Sequence, residues 1–387
     1  GFTPCCVPPD VNGHVGATQY VQWNNLSFAI WDKNGTLLFG PAAGNTLFQP
    51  LGGVCASHND GDPVVNYDIL AGRWVLSQLV VYASPGFSHQ CVAVSLTSDA
   101  TGSWYLYDFV TDSVNFVDYP HMAVWPDGYY MAAHIFNSSG SSLLAGRIYA
   151  FERDRMLNGQ PARMLSKDLQ PYSGFPQYGF LAADVDSPIP PPAGEAELVI
   201  GPDPASTNFL DSTRVAVTWG PAPAMVLTET QINAGWGVAP CPNGGRACVP
   251  QPPPASGSDY LDNLDQHFMH RLAYRNFGGS PAQESLVGNI TVDGSTSTPP
   301  HGAIRWFEFR NAGDSTTTPT VYQTGTFDPD SDYRWMGSIA MDKDHDIALG
   351  YSRSSTTINP SIFVNGRLGT DPLNALGTET QMMAGGG

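Results

Sequence analysis

The chain has 387 residues, room for two or three average domains or for one large repeat architecture. Only 13% of residues are charged, while 41 glycines and 33 prolines accompany abundant Val, Thr, Tyr and Trp, so turn and strand formers dominate and an all-β fold is expected. With 17 basic against 35 acidic residues the formal charge is −18, which disfavours nucleic acid as a partner, and the absence of any apolar run of about 18 residues leaves no membrane span.

Taken in order, the segments fall into units of roughly 50 residues that each carry short strands separated by turns. The first, about 10–50, reads as four strands at "PPDVNGHVG", "TQYVQWNN", "LSFAIWDKNG" and "TLLFGP". The second, about 60–113, runs "DPVVNYD", "RWVLSQLVV", "QCVAVSLTSD" and "SWYLYDF". A third copy covers about 117–170, opening on "DYPHMAVWPDGYYMAAHIF". A looser fourth, about 177–232, begins "QYGFLAADVD" and contains the proline-rich surface loop "SPIPPPAGEA". Residues 236–258 then form a loop too polar and too broken to be core. The fifth unit, about 260–327, holds "HFMHRLAYRNFGG" and "GAIRWFEFR", and the sixth, about 332–377, "DYRWMGSIAMDKDHDIALGYS" and "PSIFVNGRL". The sixth lacks an evident fourth strand, which residues near the amino end are expected to supply, and 378–387 read as a flexible tail. Four-stranded units repeated six times predict a single six-bladed β-propeller spanning 1–377, with Trp74, Trp104, Trp125, Trp306 and Trp335 packing between blades.

Six cysteines occur without a C-x-x-C pair, so disulfides are expected rather than zinc. Turn chemistry inside "CPNGGRAC" suits a local clip between Cys241 and Cys248; Cys55 and Cys91 flank the first hairpin of the second unit and could pair, while Cys5 and Cys6 stay unassigned. Such usage points to an oxidising compartment, hence a secreted or cell-surface protein.

In a propeller the first strand of every blade lines the central channel, so residues at its entrance converge. Here those positions hold Asp10, Asp62, Asp118, Gln177, Asp262 or Asp265, and Asp332. Asp62, Asp118, Asp265 and Asp332 are the candidate catalytic carboxyls, because paired acids can protonate a glycosidic oxygen and activate water or attack the sugar. His14, His121, His270, Arg271 and Arg334 lie beside the same entrances and are candidate binding residues, as is Trp335, also counted among the packing tryptophans. The alternative occupant is Ca²⁺, with Asp60 and Asp62 of "NDGD" and Asp328 and Asp330 of "DPDSD" as ligands. Neither "DPDSD" nor "DKDHD" closes as an EF-hand, since the twelfth positions are Ile339 and Arg353, and the second is expected to be a hairpin turn. "QHFMH" places His267 and His270 on opposite faces of a strand, against a shared metal. "SLTSDATGSW" is similar to the Asp-box turn of sialidase-like propellers, a structural element. G-x-S-x-G, H-E-x-x-H and phosphate-binding glycine loops are absent.

The segments "PPDVNGHVGATQYVQWNN", "NDGDPVVNYDILAGRWVLSQ", "DYPHMAVWPDGYYM", "HRLAYRNFG" and "YRWMGSIAMD" together resemble a group of secreted bacterial β-propeller proteins. That resemblance implies fold and export, not an activity. The "GDP" and "DYP" entrances are also similar, at the level of fold, to propeller glycosidases, whose acids stand on the first strands of different blades. The expected function is recognition of a polar polymer, a polysaccharide or other glycan. Glycoside cleavage by the same carboxyls is the alternative, and a structural subunit self-associating through blade edges the second alternative.

Overall fold

The computed structural model describes residues 10–84, 86–238, 240–241, 245–294, 300–310 and 318–386. Cys5, Cys6 and the amino-terminal segment expected to complete the sixth unit lie outside the described residues. The described residues are all-β apart from a few short helical turns, and the chain divides into two compact units, 1–169 with 217–225 and 170–216 with 226–387.

The strands form antiparallel meanders of four, the construction unit of a propeller blade. Sheet one holds β1 (Val11–Val15), β2 (Gln19–Asn24), β3 (Ser27–Asp32) and β4 (Leu37–Ala43). Sheet two holds β5 (Val64–Asp68), β6 (Arg73–Val81), β7 (Ser88–Ser95) and β8 (Trp104–Asp112), and sheet three β9 (Phe116–Trp125), β10 (Gly128–Phe136), β11 (Leu143–Phe151) and β12 (Met164–Asp168). The meander β13 (Leu181–Val185), β14 (Glu197–Pro202), β15 (Phe209–Thr218) and β16 (Ala224–Asn233) follows. A two-stranded ribbon, β17 (Ala247–Val249) with β18 (Leu261–Asp262), precedes the meander β19 (Leu272–Asn276), β20 (Glu284–Asp293), β21 (Gly302–Arg310) and β22 (Thr320–Phe327). The last sheet is β23 (Tyr333–Met341), β24 (Ile347–Ser354), β25 (Ser361–Arg367) and β26 (Thr380–Met383).

Two expectations are corrected here. The meanders beginning at β13 and β19 are not separate sheets, because these two strands pair in parallel, with Ala183 opposite Leu272 and Asp184 opposite Ala273, to give one eight-stranded sheet. In the first unit an asparagine side chain stands in that place: Asn12 Oδ1 accepts the Val65 N–H at 2.9 Å and Asn66 Nδ2 donates to the Met122 carbonyl at 2.7 Å, bridging β1 to β5 and β5 to β9. Both asparagines are buried, so these bonds also answer the desolvation of an amide. The second correction concerns the carboxyl end, where β26 pairs with β25 instead of fraying.

Packing between neighbouring sheets follows from alternation along the strands. In β2 the buried residues Val21 and Trp23 face sheet two, where they meet Tyr67, Trp74 and Leu76. Such fully buried tryptophans each contribute about 2–3 kcal/mol through removal of apolar surface from water. Gly16, between β1 and β2, lies so close to the Trp74 ring that a Cβ there would be 2.6 Å from it. Trp335 is likewise only 4% exposed, which makes it a packing residue and removes it from the binding candidates. Cys55–Cys91 and Cys241–Cys248 are both bridged. The second clips the 236–258 segment, which carries buried Trp236 and Val249 and so contributes core that its polar composition concealed. Among the described residues no helix is long and apolar enough to cross a membrane.

Candidate functional site

In the first unit the entrances to β1, β5 and β9 converge. Asp10, Asp62 and Asp118 are each partly accessible and close enough to act on one another electrostatically. Burial and then the charge on Asp118 raise the Asp10 carboxyl above its ordinary value. Burial, then Asp118, then Asp10 push Asp62 up to about 7, against the lowering effect of a hydrogen bond from the Tyr119 backbone N–H. At neutral pH Asp62 is therefore poised between proton donor and acceptor.

The backbone aims these groups. Asp10, Asp62 and Tyr119 have φ of 37°, 45° and 55°, a region uncommon for residues other than glycine and costlier for tyrosine than for aspartate. A bulge in β9, where the register with β10 shifts between Ala132 and His134, accommodates Tyr119. The Tyr119 ring stacks on His134 at 5.2 Å and meets His121 edge-on at 4.2 Å. The result is a wall of three aromatic rings beside three carboxyls. Two of these positive-φ residues precede prolines, Pro63 and Pro120, which ordinarily bias the preceding residue to extended backbone, so the sequence carried no signal for Tyr119. His134 carried none either, because its role arises only from strand pairing. His14 sits half-buried on β1 with its Nδ1 3.1 Å from the Val15 carbonyl oxygen.

A smaller constellation stands in the second unit before β19. Asp265 is 1% exposed, and burial, moderated by Arg246 and reinforced by Asp262, raises it to about 6. Burial brings His267 down to about 4, so its ring is neutral; its Nδ1 lies 2.8 Å from the Asp265 carbonyl oxygen and the ring packs against Tyr178. With almost no solvent access, Asp265 cannot reach a polymeric substrate in this conformation, which corrects its candidacy as a catalytic acid. His270 is more accessible, on the segment leading into β19.

The remaining candidates are bound into ion pairs. Arg271 bridges Asp184 at 2.8 Å and Asp186 at 2.7 Å, tying β13 to β19 and leaving its guanidinium to structure rather than ligand. Arg334 is fully buried between Asp330 and Glu379, and Asp332 pairs with Arg353, so neither Arg334 nor Asp332 serves the binding and catalytic parts expected of them. At the expected calcium loops Asp60, Asp328 and Asp330 also have protein partners. Asp60 binds His58 Nδ1 at 3.3 Å and the Val81 N–H, Asp328 binds His301 Nε2 at 2.6 Å, and Asp330 faces two arginines. No group of three or more Asp, Glu, His or Cys side chains among the described residues is arranged to hold a metal. "DKDHD" is a turn, with Asp342 Oδ1 accepting the N–H groups of Asp344 and Asp346. Loops held by these protein partners are expected to lose no more than about 1 °C of melting temperature on chelation by EGTA; a fall of several degrees in a thermal scan would place calcium in them.

The "SLTSDATGSW" segment is also a turn, joining β7 to β8, in which Asp99 Oδ1 accepts from the Thr101 N–H, the Thr101 hydroxyl and Gln19 Nε2.

No known protein family matches this chain, and no curated protein is similar to it in sequence. Among solved structures it is remotely similar to an α-L-arabinanase of Penicillium chrysogenum complexed with arabinobiose, at 9% identity and a TM-score of 0.40 over 94% of each chain. It is also similar to an α-L-arabinanase of Cellvibrio cellulosa, at 11% identity and 0.30 over 81% of this chain and 94% of that one. A sialidase of Trypanosoma rangeli matches at 11% and 0.30 over 78% of this chain and 54% of that one. At these values no residue of those enzymes is carried over to this chain.

Proposed function

We propose that the chain is an exported six-bladed β-propeller whose Asp10–Asp62–Asp118 mouth takes a carbohydrate chain and cleaves it by acid–base chemistry. The ring reading is supported by the meanders of four and by the bridging of consecutive first strands in the first unit through Asn12 and Asn66. Export is supported by two disulfides.

The observation that carries the chemistry is Asp62, a carboxyl raised to about 7 by burial and then by its two neighbouring carboxyls. An acid of that pKa keeps its proton in a neutral medium and can give it to a departing glycosidic oxygen, while Asp118 supplies the negative charge that activates water or stabilises the sugar cation. Tyr119 and His121, both partly exposed, offer a ring face and edge to the apolar side of a sugar, with buried His134 backing the Tyr119 ring. The same wall favours a second reading, recognition without cleavage.

The two readings separate in one experiment. Purified protein incubated with a panel of plant, bacterial and animal polysaccharides is assayed for co-sedimentation and for new reducing ends. Reducing ends that appear with wild type and vanish with Asp62→Asn support cleavage; co-sedimentation without reducing ends supports recognition alone. Neither signal from a demonstrably folded protein would overturn the carbohydrate reading.

A further inference from the structure

At the ends of β13, β19 and β23, away from their entrances, the second unit contains a cavity of about 570 Å³, within the size range of small-ligand sites. Its apolar lining includes buried Met341 and Ile347 at its base, with Ala340 beside them and exposed Leu368 at its edge. Its rim is charged and of mixed sign: Asp186, Asp342, Asp346 and Asp371 face Arg275 and Arg367.

The acids have a mundane explanation and the second arginine does not. Asp342 closes the β23–β24 turn, Asp346 Oδ1 accepts the Gly369 N–H at 2.7 Å, and Asp371 Oδ2 accepts the Leu368 N–H at 2.8 Å, so one oxygen of each is accounted for by turn geometry. Arg275 is anchored by the Met341 carbonyl at 2.8 Å and by Asp186 at 3.5 Å. Arg367, only 5% exposed, donates from one Nη to the Asp371 carbonyl at 2.7 Å, and its buried Nε has no hydrogen-bond partner. It forms no ion pair among the described residues. A buried guanidinium left with a donor unanswered is costly, and the cavity it lines is where an acceptor can enter.

We infer that this cavity binds a neutral polyhydroxylated ligand, a single sugar unit, as a second site separate from the acid cluster of the first unit. A small inorganic anion would satisfy Arg367 but meet four carboxylates against two guanidiniums. A hydroxyl accepts from a guanidinium and donates to a carboxylate at once, so a ring of hydroxyls matches a rim of mixed sign. The apolar floor matches the C–H face of a pyranose. The cation reading is weaker, because it leaves the Arg367 Nε unanswered.

The test uses saturation-transfer NMR on the whole chain with glucose, galactose, mannose, xylose and arabinose at about 50 mM each, since a single sugar unit commonly binds in the millimolar range. At least one sugar is expected to bind. Arg367→Leu should weaken that binding about tenfold or more, and Ala348→Trp, which fills the cavity from an exposed rim position, should abolish it while leaving the fold intact. Asp62→Asn should leave this binding unchanged, which separates it from any failure at the acid cluster. Absence of binding by all five sugars, binding untouched by Ala348→Trp, or binding of sulfate or lysine in place of the sugars would overturn the inference.

Discussion

Asp62→Asn is expected to lower the rate of glycoside cleavage by a factor of about 10² to 10⁴, the usual contribution of a positioned general acid, with binding of the polysaccharide retained. The pH dependence supplies a second readout that does not need the substrate. The Asp62 carboxyl is raised to about 7 in the folded chain, whereas an unperturbed aspartate loses its proton near 4. Between those values the folded state holds a proton that the unfolded state has released. Stability contributed by that proton is present at low pH and is lost as pH rises through about 7. The upper bound on the loss is about 4 kcal/mol, reduced by the solvent that reaches a partly accessible group. Asp62→Asn cannot titrate, so the difference in melting temperature between variant and wild type should widen in the variant's favour from pH 4.5 to pH 8. Parallel curves would show that Asp62 is an ordinary surface carboxylate, and the proposed acid would go with it. Asp211, raised to about 7, and Asp127 and Asp265, each raised to about 6, titrate identically in both proteins and cancel in the comparison.

The acid cluster was legible because its carboxyls recur at the start of successive units, and recurrence survives without knowledge of the fold. Asp10, Asp62 and Asp118 could be read in that way. Asp332 obeyed the same rule and has a different fate, since its neighbourhood contains Arg353, which the chain brings back from the next strand. A carboxylate that meets an arginine becomes an anchor, and one that meets other carboxylates becomes a proton store; sequence position is the same for both. The meanders were legible from turn spacing and β-branched runs. The parallel junction between β13 and β19 was not, because it joins strands almost 90 residues apart and no local pattern marks which first strands pair directly. Tyr119 illustrates the remaining gap, for its importance lies in a positive φ at a bulge, which the following proline does not foretell.

The second large effect is expected at the carboxyl end. Arg334 is fully buried, and its guanidinium is forked on both sides: to Asp330 at 2.9 and 3.0 Å, and to Glu379 at 2.7 and 3.0 Å. Arg353 reaches the same Glu379 at 2.5 Å, and the Tyr351 hydroxyl donates to it at 2.7 Å. Burial acts to raise the Glu379 carboxyl, but hydrogen bonds from Arg334 and Tyr351 hold it below its ordinary value. Removing one member of such a set strands the others, which commonly costs about 3–5 kcal/mol. Arg334→Met should lose that much, measured by urea unfolding, and Glu379→Gln rather less, because it keeps its shape and some of its bonds. The double variant should lose less than the two singles added together, since each removes a charge the other has stranded. Truncation after Gly377 is the sharpest form of the same test, for it removes Glu379 and β26 together. If those residues were a fringe, truncation would leave the urea midpoint where it was. If they complete the last sheet, the loss should equal or exceed that of Arg334→Met, and lowering the pH through the depressed Glu379 titration should destabilise wild type while leaving the truncated chain less affected.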